Sequence, residues 1–125
     1  VKFQKRTPEL CVPPEQRDLV RETPWGLITY LEYRHRVEFG EAEYAEVDRY
    51  CRGRGIAWFA SCWDEASVYC IERFDVPCYK IPSACLTDDG LLLHTAAKGK
   101  ALILSTGMRT LEQIDHAKFV PQLLI

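Results

Sequence analysis

The sequence predicts an α/β protein, a segment of a parallel-stranded barrel with four strands and intervening helices. Three observations predict it. Four short apolar runs recur along the 125 residues: Val1-Lys2-Phe3-Gln4, Ile56-Ala57-Trp58-Phe59-Ala60-Ser61, Cys78-Tyr79-Lys80-Ile81-Pro82-Ser83 and Ala101-Leu102-Ile103-Leu104-Ser105-Thr106-Gly107. Each breaks off into a small polar or cationic cluster, as strands buried on both faces do where they emerge at the top of a barrel. Stretches with helical apolar spacing and capping residues lie between the runs. The length sets the last bound: 125 residues hold one core but fall short of the roughly 200 needed for eight strands.

The elements follow in order. Residues 1–4 form the first strand. A long loop, about Thr7 to Leu27, comes next with Pro8, Pro13, Pro14 and Pro24, and Trp25-Gly26 near its end reads as an aromatic anchor. Helix is predicted from about Thr29 to Arg52, divided at Gly40 and closed by Gly53 and Gly55 before the strand at 56–61. Asp64 is placed to cap the following helix, whose apolar face is read as Ala66, Tyr69, Cys70 and Phe74. After the strand at 78–83, Thr87 with Asp88 and Asp89 opens a helix that Gly99 ends. After the strand at 101–105, Thr110 and Gln113 make a capping box for a last helix with Leu111, Ile114 and Ala117 on its apolar side, ended or kinked by Pro121. Such βα repeats imply right-handed parallel crossovers and half a barrel.

Composition narrows the function. Hydrophobic residues make up 47% and charged residues 27%, ordinary for a globular domain. A net charge of −2 argues against nucleic acid or an acidic membrane as partner. No apolar run approaches the roughly 20 residues of a membrane span, and no signal peptide opens the chain. The six cysteines, Cys11, Cys51, Cys62, Cys70, Cys78 and Cys85, show no CxxC pair and no zinc spacing, so they are read as reduced, structural thiols of a cytoplasmic protein. The chain opens on Val1 inside an apolar run and ends at Ile125 after the fourth βα unit, so both ends read as cut.

Polar residues at barrel-strand C-termini are usually site residues, because the βα loops form the active face. Lys2, Gln4, Ser61, Lys80, Ser83 and Ser105 gather there: two cations, an amide and three hydroxyls. That set suits a small, highly charged anion, such as a phosphate with a carboxylate beside it. A lysine inside an apolar strand is costly without a partner, which singles out Lys2 and Lys80 as ligand contacts. Ser83 and Ser105 could alternatively cap helices, while Gln4 and Ser61 are evenly balanced between site and structure. Lys5 and Arg6 are expected to face solvent or the loop, Trp58 and Trp63 to pack, and Thr106 and Gly107 to form a turn in which glycine permits close approach.

Five segments, VKFQKRT (1–7), TPWGLITYLEYR (23–34), WFASCWD (58–64), YKIPSA (79–84) and LSTGM (104–108), resemble the N-acetylneuraminate (sialic acid) synthases and their legionaminic and pseudaminic acid relatives. They occur in that family's order, up to about Lys118. The resemblance implies strands two to five of a (β/α)8 TIM barrel, the partial barrel spanning residues 1–125, with the other barrel strands and a C-terminal antifreeze-like domain outside the chain. It implies condensation of phosphoenolpyruvate with an N-acetylated amino sugar, N-acetylmannosamine or a relative, in a homodimeric complete enzyme. By position, Lys2, Lys80, Ser61, Ser83 and Ser105 match phosphoenolpyruvate contacts and Gln4 a substrate-pocket residue. Cys85 stands where some members carry an acidic residue that meets the sugar, which leaves the sugar open. The family's divalent metal, Mn or Mg, is held by histidines of later strands. His35, His94 and His116 fall in helix-like segments and are read as exposed, so the metal ligands are expected outside this chain and no catalytic residue is assigned.

Two further readings stand beside this one. The chain could be a non-catalytic fragment, or a half-barrel kept as an anion-binding or dimerising module. Another phosphate-binding barrel, such as an aldolase, lacks its own motif match.

Overall fold

A computed structural model describes residues 1–120. Strand β1 (Lys2–Lys5) is followed by a short helix α1 (Pro8–Cys11) and a 3-10 turn at Pro14–Gln16. A hairpin of β2 (Val20–Thr23) and β3 (Gly26–Thr29) leads into α2 (Tyr30–Val37) and α3 (Glu41–Arg54). Then come β4 (Phe59–Cys62), α4 (Glu65–Glu72), β5 (Cys78–Ile81), a 3-10 turn at Ser83–Cys85, α5 (Asp89–Ala96), β6 (Ala101–Leu104) and α6 (Leu111–Phe119).

The main sheet runs β1-β4-β5-β6, with every neighbouring pair parallel. This is the predicted arrangement, with strands near the predicted positions in sequential order. One face lies against the helices. Ala60, Cys62, Tyr79 and Ile81 are 1% exposed or less, and Phe3, Leu102 and Leu104 pack against the same core. Ile71, Val68, Leu91, Leu92, Tyr44 and Trp58 complete it. Tyr44 stacks on Trp58 at 5.7 Å, and Phe3 meets both rings edge-on.

Where the sequence predicts loop over about Thr7 to Leu27, the structure forms a hairpin. Val20 pairs with Thr29 and Thr23 with Gly26, and Gly26 takes φ +93°, the left-handed backbone that closes such a turn without strain. Thr23 Oγ1 accepts from Trp25 N and donates to Gly26 O, which stiffens the tip. Trp25 does anchor: its ring lies 6.3 Å from Tyr33, with the Arg36 guanidinium 5.8 Å above it.

Caps follow the sequence in most places. Gly40 separates α2 from α3, with Glu43 Oε2 accepting from its N–H, and Gly55 closes α3 at φ +64° while Gly53 stays inside the helix. Thr110 and Gln113 form the capping box of α6. Three expectations are corrected. The cap of α5 is Asp88, which accepts from Leu91 N, rather than Thr87. The buried face of α4 is Ser67, Val68 and Ile71; Ala66 is exposed and Tyr69 is 59% exposed, because the helix packs rotated by about one residue from the predicted stripe. Leu111, expected on the packed side of α6, is 80% exposed, while Ala117 is buried as expected. Pro121 lies outside the described residues.

Asp64 does more than cap. Its Oδ1 accepts from Ser67 N (2.7 Å) and Ser67 Oγ (2.8 Å), and also from Thr7 Oγ1 (3.0 Å). Its Oδ2 accepts from Thr7 N at 2.7 Å, with Cys11 Sγ 3.6 Å away. One carboxylate thereby ties the loop after β1 to the first turn of α4. Replacing it by alanine strips a helix cap and strands donors with little access to water, so Asp64→Ala is expected to lower unfolding free energy by about 2–4 kcal/mol in urea titration. Asp64→Asn, which keeps one acceptor, is expected to fall between the two. A loss for Asp64→Ala below about 1 kcal/mol would show that the tie is dispensable.

Candidate functional site

Register places most of the predicted site residues on one face. In parallel strands, paired residues point the same way and alternate residues share a side. Gln4 pairs with Ser61, Ser61 with Lys80, and Lys80 with Ile103, so these four form one row across the sheet. Lys2 pairs with Phe59 one row earlier, roughly 7 Å along the strand. This face is turned away from the helix-covered core. Lys2 and Gln4 are exposed and Lys80 is half-buried, whereas Ser61 is only 1% exposed.

Lys80 Nζ lies 3.5 Å from Ser61 Oγ. Burial, and then the charge of Lys2, hold the Lys80 ammonium below the ordinary lysine range. The two cations therefore feel each other. Among the described residues neither forms an ion pair, while Lys5, Lys98, Lys100 and Lys118 pair with Glu38, Glu72, Asp75 and Asp115. An uncompensated pair of ammonium groups on a sheet face is a place for an anion.

Ser83 and Ser105 occupy the loops just beyond. Ser83 opens the 3-10 turn after β5, and Ser105 follows β6 with its N–H donating to Ile81 O at 3.1 Å. A methyl placed on Gly107 would rest 3.7 Å from Ser83 Oγ, an ordinary contact, so the two loops adjoin but glycine is not needed there for close approach. Part of the set lines a groove at the sheet edge. A groove of about 290 Å³ beside β1 is bounded by Lys2, Phe3, Gln4, Arg6, Val37 and Phe39; Ser61, Lys80, Ser83 and Ser105 lie outside it.

Several supporting residues were missed by pattern. Glu38, with its side chain 7% exposed, accepts from Arg6 N (2.9 Å) and Arg6 Nε (3.2 Å) and pairs with Lys5. Lys5 and Arg6 are thus held at the end of β1, not turned to solvent. Tyr44, fully buried, donates its hydroxyl to Gln4 O at 2.6 Å; burial pushes its pKa up and keeps the donor protonated. Neither Glu38 nor Tyr44 stands out in sequence, because their partners lie 32 or more positions away, at or just after β1. Arg109 was missed as well: it donates to Ser83 O and Ala84 O.

The cysteines are all free. Burial, helped by Asp64, pushes the Cys11 and Cys62 thiols up to about 12 and raises that of Cys85, leaving neutral rather than nucleophilic sulfur. Cys85 Sγ donates to Trp63 O at 3.4 Å. Each histidine meets a carboxylate: His35 with Glu9, His94 with Glu65 and His116 with Asp89. His94 is half-buried, with Nε2 unpartnered, rather than exposed as expected. Among the described residues no three His, Cys, Asp or Glu side chains converge in a way that fits a divalent metal.

Four consecutive βα units with a polar open face define the chain as part of a TIM-barrel scaffold. The N-acetylneuraminic acid (sialic acid) synthetase of Leptospira borgpetersenii, a crystal structure in complex with citrate, superposes with a TM-score of 0.82 at 21% identity, covering 98% of this chain and 39% of that one. The chain belongs to the NeuB family, whose model matches residues 1–121. It is 32% identical over 117 residues to human N-acetylneuraminate-9-phosphate synthase, covering 92% of this chain and 32% of that protein. It is 27% identical over 123 residues to N,N'-diacetyllegionaminic acid synthase of Campylobacter jejuni, covering 94% and 36%. The chain thus spans about a third of the length of the curated relatives it matches.

The two lysines give a separable test. Removing one of two repelling, partly desolvated charges relieves the ligand-free fold, so Lys80→Met is expected to keep or raise the Tm while losing affinity for small dianions. Thermal melting with and without phosphate reads both effects. A clear drop in Tm would mean that Lys80 supports the fold instead.

Proposed function

We propose that this chain supplies the phosphoenolpyruvate-binding face of a sialic-acid-type synthase. In this reading the enol carbon of phosphoenolpyruvate attacks the aldehyde carbon of N-acetylmannosamine or a related N-acetylated amino sugar, forming the C–C bond. Water then adds to the cationic centre left behind, and its C–O bond to phosphate breaks, releasing a nonulosonic acid and inorganic phosphate. The Lys2 and Lys80 ammonium groups neutralise the phosphate and carboxylate. Ser61, Ser83 and Ser105 orient them by hydroxyl donation, and Gln4 faces the pocket. The observation that carries this reading is the Lys2–Lys80 couple, without an ion-pair partner among the described residues, beside Ser61 on the open sheet face.

The reading extends to the longer protein that the family implies. Residues 1–125 serve as strands two to five of the barrel, and the remaining strands and the antifreeze-like domain complete a homodimeric cytoplasmic enzyme. No helix among the described residues is long and apolar enough to cross a membrane. The family's Mn or Mg does not fit the described donor set, so no step here runs through it.

The 125-residue chain is expected to bind phosphoenolpyruvate weakly and to release no phosphate with N-acetylmannosamine, even with added manganese or magnesium. Titration followed by ¹H–¹⁵N NMR is expected to shift resonances of Lys2, Ser61, Lys80, Ser83 and Ser105. Lys80→Ala is expected to weaken binding at least ten-fold, the loss of one charge-assisted contact. Undiminished binding by that variant would overturn the assignment, and turnover by the wild-type chain would overturn its reading as one segment of the enzyme.

A further inference from the structure

We infer that Arg109 is a positioning residue: it clamps the loop after β6 onto the turn after β5, so that Ser83 and Ser105 are held together as one half of the anion site. The inference rests on the phosphoenolpyruvate reading above. Its basis is the fork that Arg109 makes. Nε donates to Ser83 O and a terminal guanidinium nitrogen to Ala84 O, both at 2.7 Å. Two adjacent donors on a rigid plane meet two consecutive carbonyls, an arrangement lysine cannot reproduce. The carbonyls belong to the residues of the turn that opens on Ser83, and the arginine belongs to the loop that begins at Ser105.

Independent features of the backbone agree. Met108, immediately before Arg109, sits at φ +62°, a left-handed conformation that a side-chain-bearing residue adopts only when its surroundings hold it. Met108 is itself 92% exposed, so its own side chain does not supply that hold. On the other side of Ser105 the loop is tied by its N–H to Ile81 O. The loop is therefore fixed at both ends to the end of β5, once by main chain and once by Arg109. Ser83 Oγ faces the Gly107 backbone between those ties. With the fork removed, the main-chain tie at Ser105 remains, but the Ser83 turn loses both hydrogen bonds to the loop and keeps only its packing against Gly107. The expected result is a wider range of Ser83–Ser105 separations, paid in affinity for the anion that both must touch.

The test uses the 125-residue chain with Arg109→Ala, Arg109→Lys, Ser83→Ala and Lys2→Ala, and the doubles of Arg109→Ala with the last two. Amide hydrogen exchange of residues 82–87 and 105–110 is measured without ligand, and phosphoenolpyruvate affinity by NMR titration. Arg109→Ala is expected to speed exchange in both loops and weaken binding about ten-fold, with Arg109→Lys recovering part of each. If Arg109 acts through Ser83, adding Arg109→Ala to Ser83→Ala costs less than it does alone, whereas with Lys2→Ala the losses add. A role in global stability alone would make both doubles behave alike, overturning the inference. Unchanged exchange overturns the clamp whatever the affinity does, and faster exchange with unchanged affinity overturns the positioning role. A wild-type chain that fails to bind phosphoenolpyruvate overturns the reading under Proposed function, and the positioning role falls with it, while the exchange data still judge the clamp.

Discussion

The carboxylate of Asp64 is the joint on which the polar end of the sheet depends. It takes donors from Thr7 at the end of the β1 segment and from Ser67 in the first turn of α4, within a structure where it is 9% exposed. An ionised carboxylate has about four acceptor sites, and a helix N-terminus favours negative charge, so one small side chain satisfies both segments at once. Thr7 follows Gln4 by three residues and Asp64 follows Ser61 by three, so the tie sits one short step beyond the Gln4–Ser61 pair. Glu38 and Tyr44 repeat the device at the end of β1, gripping Arg6 N just after the strand and Gln4 O within it. The face that carries the lysines is therefore positioned from behind.

Local signals made the parallel strands, most caps and the open-face polar residues legible in the sequence. As helix caps, Asp64, Thr110 with Gln113, and Gly40 act within three residues of where they stand, and a motif that acts locally can be read locally. The hairpin was hidden because Pro24 and four-residue strands without a buried residue give neither an apolar alternation nor the usual asparagine-glycine turn. The rotated face of α4 escaped because Tyr69 and Cys70 are apolar in name, while Ser67 is the residue buried, satisfied by Asp64. Glu38, Tyr44 and Arg109 act on main-chain atoms 25 to 40 positions away, a relation that composition and period do not encode.

Charge pairing is uneven across the surface. Surface charges are mostly spent on neighbours, as in Arg49 with Glu46, Arg52 with Asp48 and Lys98 with Glu72. Such exposed pairs contribute little to stability. Among the described residues Lys2 and Lys80 enter no such pair, and the charge of Lys2 adds to burial in holding the Lys80 ammonium below its ordinary range. Burial raises the thiols of Cys11, Cys62 and Cys85, so they add no anion of their own.

The pairing of Lys2 with Phe59, Phe3 with Ala60 and Gln4 with Ser61 also works as an address. Side chains alternate along a strand, so sliding β1 by a single position would send Lys2 and Gln4 beneath the helices and lift Phe3 and Lys5 onto the open face. The pattern on this sheet face can drift by exchange of one side chain for another. It cannot survive the gain or loss of one residue inside β1, because that edit would leave every letter nearly in place and deliver each to the wrong side.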